Sequence, residues 1–463
     1  MCKILLSGIR IWKLIYYATG SPCFKAGTKI LTNKGYKNIE DIEVNDLVLT
    51  HKNRFRKVLK TGHNENKQLY RLKAQGIFET FVTGNHPYYV RTMSRKWNNE
   101  LRRDVRCWDK PEWKEVEKLT KNDFIGIPIP QKEENIYNLD KEDCWLLGRY
   151  IADGHIRHNK RLNRKNSYMY GVVYSIGDKK VEEFKTHLNK YHASIYPHSQ
   201  SVYRAIISLQ KMVEFIEQNG FGKGAINKDI PMFVLNLPIE LAEAFLDGYI
   251  SGDGYFSKDV YRATSISQNL IMKLQFLIAK VYKTSSNIHF TKRPKTHIIE
   301  GRIVNQHDSY NIAFSKEKRK QNNSYVDIEN NIIWYPIKEI EKLDAYDTVY
   351  NLEVEEDNSY LANNAIVHNC TDFSVAGLQA GGDVGSGTRS SLMWETVRIV
   401  GKLRPKMILW ENVKNLLSKK HKHNFDAYIE TMNILGYNSY YQVLNSKDYR
   451  NPTVKRSCVY YKH

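Results

Sequence analysis

Hydrophobic and polar positions form three successive patterns along the chain. Between residue 23 and about residue 130, short apolar runs separated by turn residues predict strands, as in 28–32, 46–50, 68–72, 80–84 and 123–130. From about 140 to 330, helical periodicity is mixed with strand-like runs. Strand patterning returns over 348–367, and residues 370–463 alternate between helix and strand. The pattern predicts a β-rich unit in two segments around a mixed unit, followed by an α/β segment.

Two internal repeats support this division. Ile39–Val48 matches Val116–Ile125, and both copies carry Asn-Asp directly before a predicted strand. This match indicates a pseudo-symmetric all-β unit. Leu146–Gly154 recurs more clearly as Leu246–Gly254. A duplicated half-domain is the simplest explanation of the second repeat.

Length and charge restrict the functional classes. The 463 residues are enough for roughly three domains of about 150 residues each. The formal net charge is +20, which favours an anionic partner such as double-stranded DNA, although a basic surplus is also common on plain solvated surfaces. The charge therefore permits DNA binding without establishing it.

The cysteines and the apolar runs point to an intracellular protein. Six cysteines stand at positions 2, 23, 107, 144, 370 and 458, with no Cys-x-x-Cys pair, which argues against a zinc ribbon or a disulfide scaffold. No apolar run approaches the roughly 18 residues of a membrane span. Residues 1–20 faintly suggest a signal peptide, but Arg10 and Lys13 interrupt its apolar core. We expect reduced thiols, a cytoplasmic location and no membrane partner.

Three separated elements carry the first candidate chemistry. They are Cys23–Ile30, Thr83–Pro87, and Val349–Val354 followed by Val367–Cys370. Each element alone is ordinary, since a lone cysteine is usually a small buried hydrophobe. Together and in this order they resemble the terminal and internal motifs of inteins, over residues 23–130 and 335–370. The resemblance implies an all-β, Hint-type horseshoe fold and self-splicing.

The resemblance also assigns roles to individual residues. The Cys23 thiol would attack the Pro22 carbonyl and form a thioester, while His86 and Thr83 assist the leaving amide nitrogen. Cys370 would then attack that thioester. Asn369 would cyclise and cut the bond to Cys370, with assistance from His368. A final S-to-N shift would leave Pro22 joined to Cys370.

Two residues depart from the usual intein pattern, and a third restricts the backbone at the first splice junction. Inteins commonly carry Asp at the position of Asn351 and His near Asn358. These departures bear on the rates of the second and third steps. Pro22 precedes the splice junction and is conformationally stiff, which predicts a slower first acyl shift.

The sharper repeat resembles the LAGLIDADG motif of homing endonucleases. In that family two helices pack closely and each ends in an acidic residue, which here are Asp153 and Asp253. Paired carboxylates suit Mg²⁺ and phosphodiester cleavage. Lys228 resembles a family lysine near the active site, and the basic run 157–161 fits phosphate contacts. The structural alternative is that each Asp-Gly merely ends a helix.

The flanking segments resemble a third family. Without residues 23–369, the sequence 20–22 continues directly into 370–377, and this junction resembles the catalytic loop of DNA cytosine-5 methyltransferases. The resemblance implies an α/β, Rossmann-like fold. It also implies that Cys370 attacks C6 of a flipped cytosine, that Glu411 contacts N3, and that S-adenosylmethionine donates the methyl group.

Much of that host pattern is missing from the chain. No glycine-rich cofactor motif precedes Cys370, and the loop around Pro452 has Arg450 and Thr453 where Gly and Gln are expected. This predicts a truncated host or one piece of a split enzyme with a second methyltransferase fragment as partner. The expected order is an N-terminal flank, a splicing segment, an endonuclease, a second splicing segment and a C-terminal flank: 1–22, 23–135, 136–335, 336–369 and 370–463.

Two other functions stay open from the sequence. In one, nuclease activity is the surviving function and the flanks are relics. In the other, the chain is a basic DNA-binding protein with degenerate motifs, which predicts salt-sensitive binding without cleavage or splicing.

Overall fold

The computed structural model describes most of the chain. The described residues are 2–8, 11–17, 22–160, 168–299, 302–317, 325–369, 393–404, 407–411, 417, 422–445 and 456–462. The N-terminal flank forms an antiparallel hairpin of β1 (Cys2–Gly8) and β2 (Ile11–Tyr17).

The next segment is built from strands joined by short turns. In chain order these strands are β3 (Phe24–Lys25), β4 (Lys29–Thr32), β5 (Gly35–Asn38), β6 (Leu47–Leu49), β7 (Phe55–Ala74), β8 (Ile77–Thr83), β9 (Pro87–Asn98), β10 (Arg103–Trp108), β11 (Glu112–Glu115) and β12 (Asp123–Pro128). Their alternating apolar positions place one face of each strand in the core.

The middle segment mixes helices and strands. Its helices are α1 (Lys141–Asp153), α2 (Val181–Lys185), α3 (Gln210–Gln218), α4 (Met232–Leu235), α5 (Ile239–Asp253) and α6 (Gln268–Tyr282). Its strands are β13 (Gly154–Lys160), β14 (Tyr168–Gly177), β15 (Ala193–Ser199), β16 (Val202–Ile207), β17 (Gly254–Ser257), β18 (Val260–Ser265), β19 (Ser286–Thr291), β20 (Thr296–Ile299), β21 (Arg302–Asn305) and β22 (Ser309–Phe314).

Four strands return the chain to the first sheet: β23 (Val326–Asp327), β24 (Ile332–Val354), β25 (Ser359–Ala362) and β26 (Ala365–His368). With β3–β12 they complete a 14-stranded sheet. The long strands β7 and β24 pair antiparallel, from Val58 opposite Val354 to Ala74 opposite Ile337. The expected boundary between residues 335 and 336 lies inside β24.

The weak sequence repeat corresponds to a repeated local structure. A strand, a short 3₁₀ turn and a second strand occur over 35–49 and again over 112–128. In each copy an aspartate, Asp46 or Asp123, accepts a hydrogen bond from a backbone N–H three residues earlier and pairs with a lysine nine residues earlier. The predicted pseudo-symmetry is confirmed.

The duplication of the middle segment is also confirmed. The two four-stranded sheets have the orders β13-β14-β16-β15 and β17-β18-β22-β19, which is the same connection pattern in both halves. Helices α1 and α5 pack against each other through glycines. A Cβ on Gly148 would lie 2.0 Å from the Phe245 carbonyl oxygen, and one on Gly248 would lie 2.0 Å from the Trp145 carbonyl oxygen. Only glycine permits this backbone contact.

Helix α6 of the duplicated unit is also packed against the first sheet. Its Gln275 donates to the Gly76 carbonyl oxygen at 2.7 Å and accepts from the Asn364 amide at 2.9 Å. Asn364 also donates to the Met272 carbonyl oxygen at 3.0 Å and lies in the turn between β25 and β26. Buried apolar residues form one continuous core across both units. The mixed unit therefore supports the hairpin that leads to Asn369.

Replacing Gln275 by Ala is expected to lower the free energy of unfolding by about 2–4 kcal/mol, because the buried Gly76 carbonyl oxygen loses the Gln275 hydrogen bond and the Asn364 amide loses one of its two acceptors. The C-terminal hairpin should loosen, so cleavage after Asn369 should slow as well. Urea unfolding and the rate of that cleavage check the prediction. Gln210→Ala, at an exposed position, is the control. Unchanged stability in Gln275→Ala would contradict the predicted support.

The flanking segments form a separate sheet with its own core. They contribute α7 (Met393–Leu403), β27 (Met407–Glu411), α8 (Lys422–Ile434), β28 (Asn438–Asn445) and β29 (Arg456–Lys462). The strand order is β2-β1-β27-β29-β28, and every pair is antiparallel. The expected Rossmann-like sheet would be mostly parallel, so the described strands depart from it. Parallel neighbours require crossover connections, whereas here the N-terminal hairpin pairs with β27.

Candidate active sites

The first site lies where β3 meets β8. Pairing of Phe24 with Val82 brings Cys23 beside Thr83. The Cys23 backbone N–H donates to Thr83 Oγ1 at 2.9 Å, and the Thr83 N–H donates to the Cys23 carbonyl oxygen at 3.0 Å. Thr83 Oγ1 donates in turn to Asn85 Oδ1 at 2.8 Å. The amide nitrogen of the Pro22–Cys23 bond is thus held by a hydroxyl group, and the Cys23 side chain is fully buried.

His86 is buried in the same region. Its ring packs against Phe24 at 4.2 Å between centroids, with Tyr88 at 6.1 Å and Tyr360 at 6.5 Å. Its backbone N–H donates to the Thr83 carbonyl oxygen at 3.1 Å. The turn 83–86 therefore presents the hydroxyl group and the imidazole from one loop.

The second site lies at the end of β26. The Asn369 backbone N–H donates to the Asn358 carbonyl oxygen at 2.9 Å. In the side-chain orientation that satisfies both amide atoms, the nitrogen donates to the same carbonyl at 2.6 Å and the oxygen accepts from the Val354 N–H at 2.7 Å. The Asn369 side chain is buried and fixed at both ends.

His368 contacts the backbone carbonyl group of Asn369, which belongs to the bond between Asn369 and Cys370. Its Nδ1 forms a short hydrogen bond with the Asn369 carbonyl oxygen. The ring also packs edge-on against Trp113, with 4.7 Å between centroids. A donor at this position can polarise the carbonyl carbon that a cyclising asparagine attacks.

A third site lies at the adjoining ends of α1 and α5. Each helix ends at an aspartate, Asp153 or Asp253, followed by a glycine. Arg149 pairs with Asp153 at 2.5 Å. Burial and the nearby Asp153 carboxylate raise the pKa of Asp253 to about 6. The two negative charges therefore repel each other, which a cation between them would relieve.

Lys228 completes the surroundings of these carboxylates. Its ammonium group donates to the Tyr150 and Ala152 carbonyl oxygens at 2.7 and 3.1 Å. Burial lowers the pKa of Lys228 to about 8, although the two carboxylates oppose the shift. A cavity of about 250 Å³ opens here, lined by Lys228 and Asp253 among others. Within the described ranges, no three His, Cys, Asp or Glu side chains are grouped to hold a metal ion. A bound Mg²⁺ would therefore need ligands besides the two carboxylates, such as DNA phosphates.

Comparison with known families identifies the larger part of the chain. The family model for the intein splicing domain matches residues 28–369.

The chain belongs to the intein splicing domain family.

A second model, for C-5 cytosine-specific DNA methylases, matches residues 369–460, so the intein interrupts a methylase sequence. The predicted family assignment is confirmed.

Relatives cover the two parts differently. A type II methyltransferase of Lactococcus lactis subsp. cremoris is 47% identical over 83 residues, which is 18% of this chain and 23% of that protein. This chain thus spans about a quarter of that relative. A structure of the homing endonuclease I-DmoI with its target DNA aligns with 38% of this chain and 89% of its own, at 15% identity and TM-score 0.28. A Ssp DnaB mini-intein variant aligns with 76% of this chain and 100% of its own, at 10% identity and TM-score 0.27.

The predicted site residues fall into three groups. The intein brings Cys23, Thr83 and His86 together, and places His368 beside Asn369. It also gathers the predicted nuclease residues, Asp153, Asp253 and Lys228. Cys370 lies outside the described residues, and Glu411 is the last residue of β27. In the part of the chain that the structure describes, no helix is long and apolar enough to cross a bilayer.

Two residues near the C-terminal junction of the intein escaped sequence reasoning. His51 shares a 2.6 Å hydrogen bond with Ser359 Oγ, and Ser359 is the strand partner of His368. Trp113 packs against both histidines, at 5.8 Å from the His51 ring. Burial lowers the pKa of His51 to about 4, with the charges of Lys52 and His368 contributing. No local pattern could have linked positions 51 and 359.

Asp357 anchors the loop that precedes β25 in the intein. Its buried carboxylate accepts from Thr50 Oγ1 at 2.7 Å and from Arg54 Nε at 2.8 Å, and it pairs with Lys52 at 3.1 Å. Burial alone would raise the pKa of Asp357, but the hydrogen bonds from Arg54, Thr50 and Lys52 outweigh it and lower the pKa well below the usual range.

Replacing Asp357 by Asn is expected to reduce the free energy of unfolding at pH 7 by about 1–3 kcal/mol. Because the folded pKa is depressed, the stabilisation is present above the unfolded value of about 3.9 and is lost as pH falls below it. Stability should therefore depend less on pH between 5 and 2 in Asp357→Asn than in the parent. Urea unfolding at several pH values measures this, with the exposed Asp344→Asn as control. Equal pH dependence in parent and variant would refute the assignment.

Proposed function

We propose that the intein excises residues 23–369 and joins Pro22 to Cys370. The observation that carries this proposal is the 2.9 Å hydrogen bond between the Cys23 backbone nitrogen and Thr83 Oγ1, because that nitrogen leaves in the first step. The side-chain amide of Asn369 is likewise held by hydrogen bonds, and this supports its proposed role in cleaving the bond to Cys370.

In the first step the Cys23 sulfur bonds to the Pro22 carbonyl carbon, and the bond from that carbon to the Cys23 nitrogen breaks. The thiol proton leaves sulfur and the nitrogen gains a proton, so the products are a thioester and an amine. Thr83 orients the amide, and His86 supplies the proton. The Cys23 nitrogen becomes pyramidal in this step. The free-energy cost of that change is reduced because the hydrogen bond to Thr83 already holds the N–H group in place.

In the later steps the Cys370 sulfur takes the acyl group from Cys23 and releases the Cys23 thiol. The Asn369 side-chain nitrogen then bonds to its own backbone carbonyl carbon, and the bond to the Cys370 nitrogen breaks. The Asn358 carbonyl aligns the attacking amide, and His368 stabilises the developing negative charge on oxygen. The freed Cys370 amine finally displaces sulfur and forms the Pro22–Cys370 peptide bond.

Expression of the full chain followed by intact mass measurement tests the proposal. We expect a 347-residue fragment (23–369) and a ligated product of 116 residues. Persistence of full-length chain without either product would refute splicing.

The paired helices α1 and α5 favour a second function, cleavage of DNA. Asp153 and Asp253 would hold Mg²⁺, which would neutralise charge on the phosphodiester that is cut. Lys228, held at the end of α1, would contact the scissile phosphate or an attacking water. The basic charge of the chain, the half-buried Arg157 and the exposed His158 of β13 would bind the DNA backbone.

The ligated host segments would act on cytosine in DNA. Cys370 would attack C6, and Glu411 would stabilise the activated ring. S-adenosylmethionine would donate the methyl group, and a second methyltransferase fragment would be a partner. Cys370 would serve first as splicing acceptor and later as nucleophile, which predicts no methylation before splicing. Transfer of a labelled methyl group to DNA, with and without a complementing fragment, tests this.

A further inference from the structure

The buried thiol of Cys23 needs help to become a nucleophile. A free cysteine is only a few per cent thiolate at pH 7, and burial makes ionisation harder. The acidic residue that inteins commonly carry at position 351 is replaced by Asn351 here. Its Oδ1 accepts from the Leu352 N–H at 2.8 Å and from the Tyr360 hydroxyl at 3.2 Å. A neutral amide in this arrangement cannot serve as a base for the thiol.

A different side chain reaches the sulfur. Asn64 Nδ2 lies 3.4 Å from Cys23 Sγ, a hydrogen-bonding distance for sulfur. Asn64 is on β7, directly opposite Val349 of β24. Cys23, Leu69 and Val349 form a small buried cluster, so the long β7–β24 pair fixes this contact.

Resting on the proposed splicing function, we propose that Asn64 is a catalytic residue of the first acyl shift. Its amide N–H donates to the Cys23 sulfur, stabilises the thiolate and directs it toward the Pro22 carbonyl. Hydrogen bonds to a charged acceptor are stronger than those to a neutral one, so the contact favours the thiolate over the thiol. An amide suits this role because a carboxylate at the same place would repel the thiolate.

The experiment follows release of residues 1–22, which requires the first step. In Asn369→Ala protein, dithiothreitol should release residues 1–22 by attacking the thioester, and the rate is followed by mass spectrometry from pH 6 to 9.5. Adding Asn64→Ala should slow release by about tenfold at pH 7. The difference should shrink as the pH rises toward 9.5, because a higher pH favours the thiolate in both proteins and makes the hydrogen bond less important. Asn64→Asp should be at least as slow as Asn64→Ala at pH 7. Glu65→Ala, the exposed neighbour on the opposite face of β7, should match the parent.

Three results would overturn the assignment. The first is an unchanged rate in Asn64→Ala. The second is equal slowing at every pH, which indicates a packing role. The third is a loss of Asn369–Cys370 cleavage when Asn64→Ala is placed in the Cys23→Ala background, which indicates misfolding. If the Asn369→Ala parent itself releases nothing, the proposed splicing function fails, and this outcome is distinct from failure of the Asn64 role.

Discussion

Replacing Asn369 by Ala is expected to leave the Asn369–Cys370 bond intact and to stop ligation. The variant lacks the attacking nitrogen, so cleavage should fall by more than about 10³-fold. The first acyl shift should continue, because Cys23 and Thr83 are untouched. Dithiothreitol should therefore still remove residues 1–22. Intact mass measurement of the purified protein distinguishes these species.

The reciprocal variant gives the opposite products. Cys23→Ala should abolish thioester formation and leave cleavage after Asn369, which yields residues 1–369 and 370–463. Asn189→Ala, at an exposed asparagine of the mixed unit, should splice like the parent. Appearance of the fragment 370–463 from Asn369→Ala would exclude asparagine cyclisation as the cleavage step.

Replacing Asp153 or Asp253 by Asn is expected to abolish DNA cleavage, by more than about 10³-fold, with little loss of DNA binding. Each change removes one proposed charged ligand for Mg²⁺ and keeps the size of the side chain. A plasmid carrying the uninterrupted junction sequence, incubated with Mg²⁺, reports cleavage. A chelator should abolish cleavage by the parent.

Asp247→Asn is the matched control for the nuclease variants. It lies on α5, six residues before Asp253, and pairs with Lys316 at a partly exposed position. Splicing should continue in all three variants, which shows that they fold. Retained DNA cleavage in Asp153→Asn would contradict the proposed nuclease role and would indicate that Asp153 only ends its helix.

The mixed unit is more than a detachable insertion. Gln275 and Asn364 join α6 to the hairpin that carries His368 and Asn369. A deletion of 136–335 would remove α6, cut into β24 and expose part of the shared core. We therefore expect a minimal intein made by that deletion to need new polar partners for Gly76 and Asn364.

Much of the splicing sites and of the nuclease site could be predicted, because their chemistry depends on the type and order of the residues. Cys23 and Asn369 stand at the two proposed splice junctions, and Asp153 and Asp253 end two copies of one motif. The sequence also predicted the tight helix contact, because Gly148 and Gly248 occupy equivalent positions. The host fold was predicted less well, since the parallel sheet was inferred from resemblance and the described strands pair antiparallel.

By itself, the sequence determined the family and the duplication, and it predicted the order of the units and the reacting residues. The tertiary structure decided which neutral groups surround those residues. Asn64 reaches Cys23 across 41 positions, His51 reaches Ser359 across 308, and Gln275 reaches Asn364 across 89. Hydrogen bonds act over a few ångströms in space, and an isolated Asn, His or Gln has no periodicity or spacing that indicates its partner. The pairing of β7 with β24 brings Asn64 to Cys23, the turn between β6 and β7 brings His51 to Ser359, and the packing of α6 brings Gln275 to Asn364.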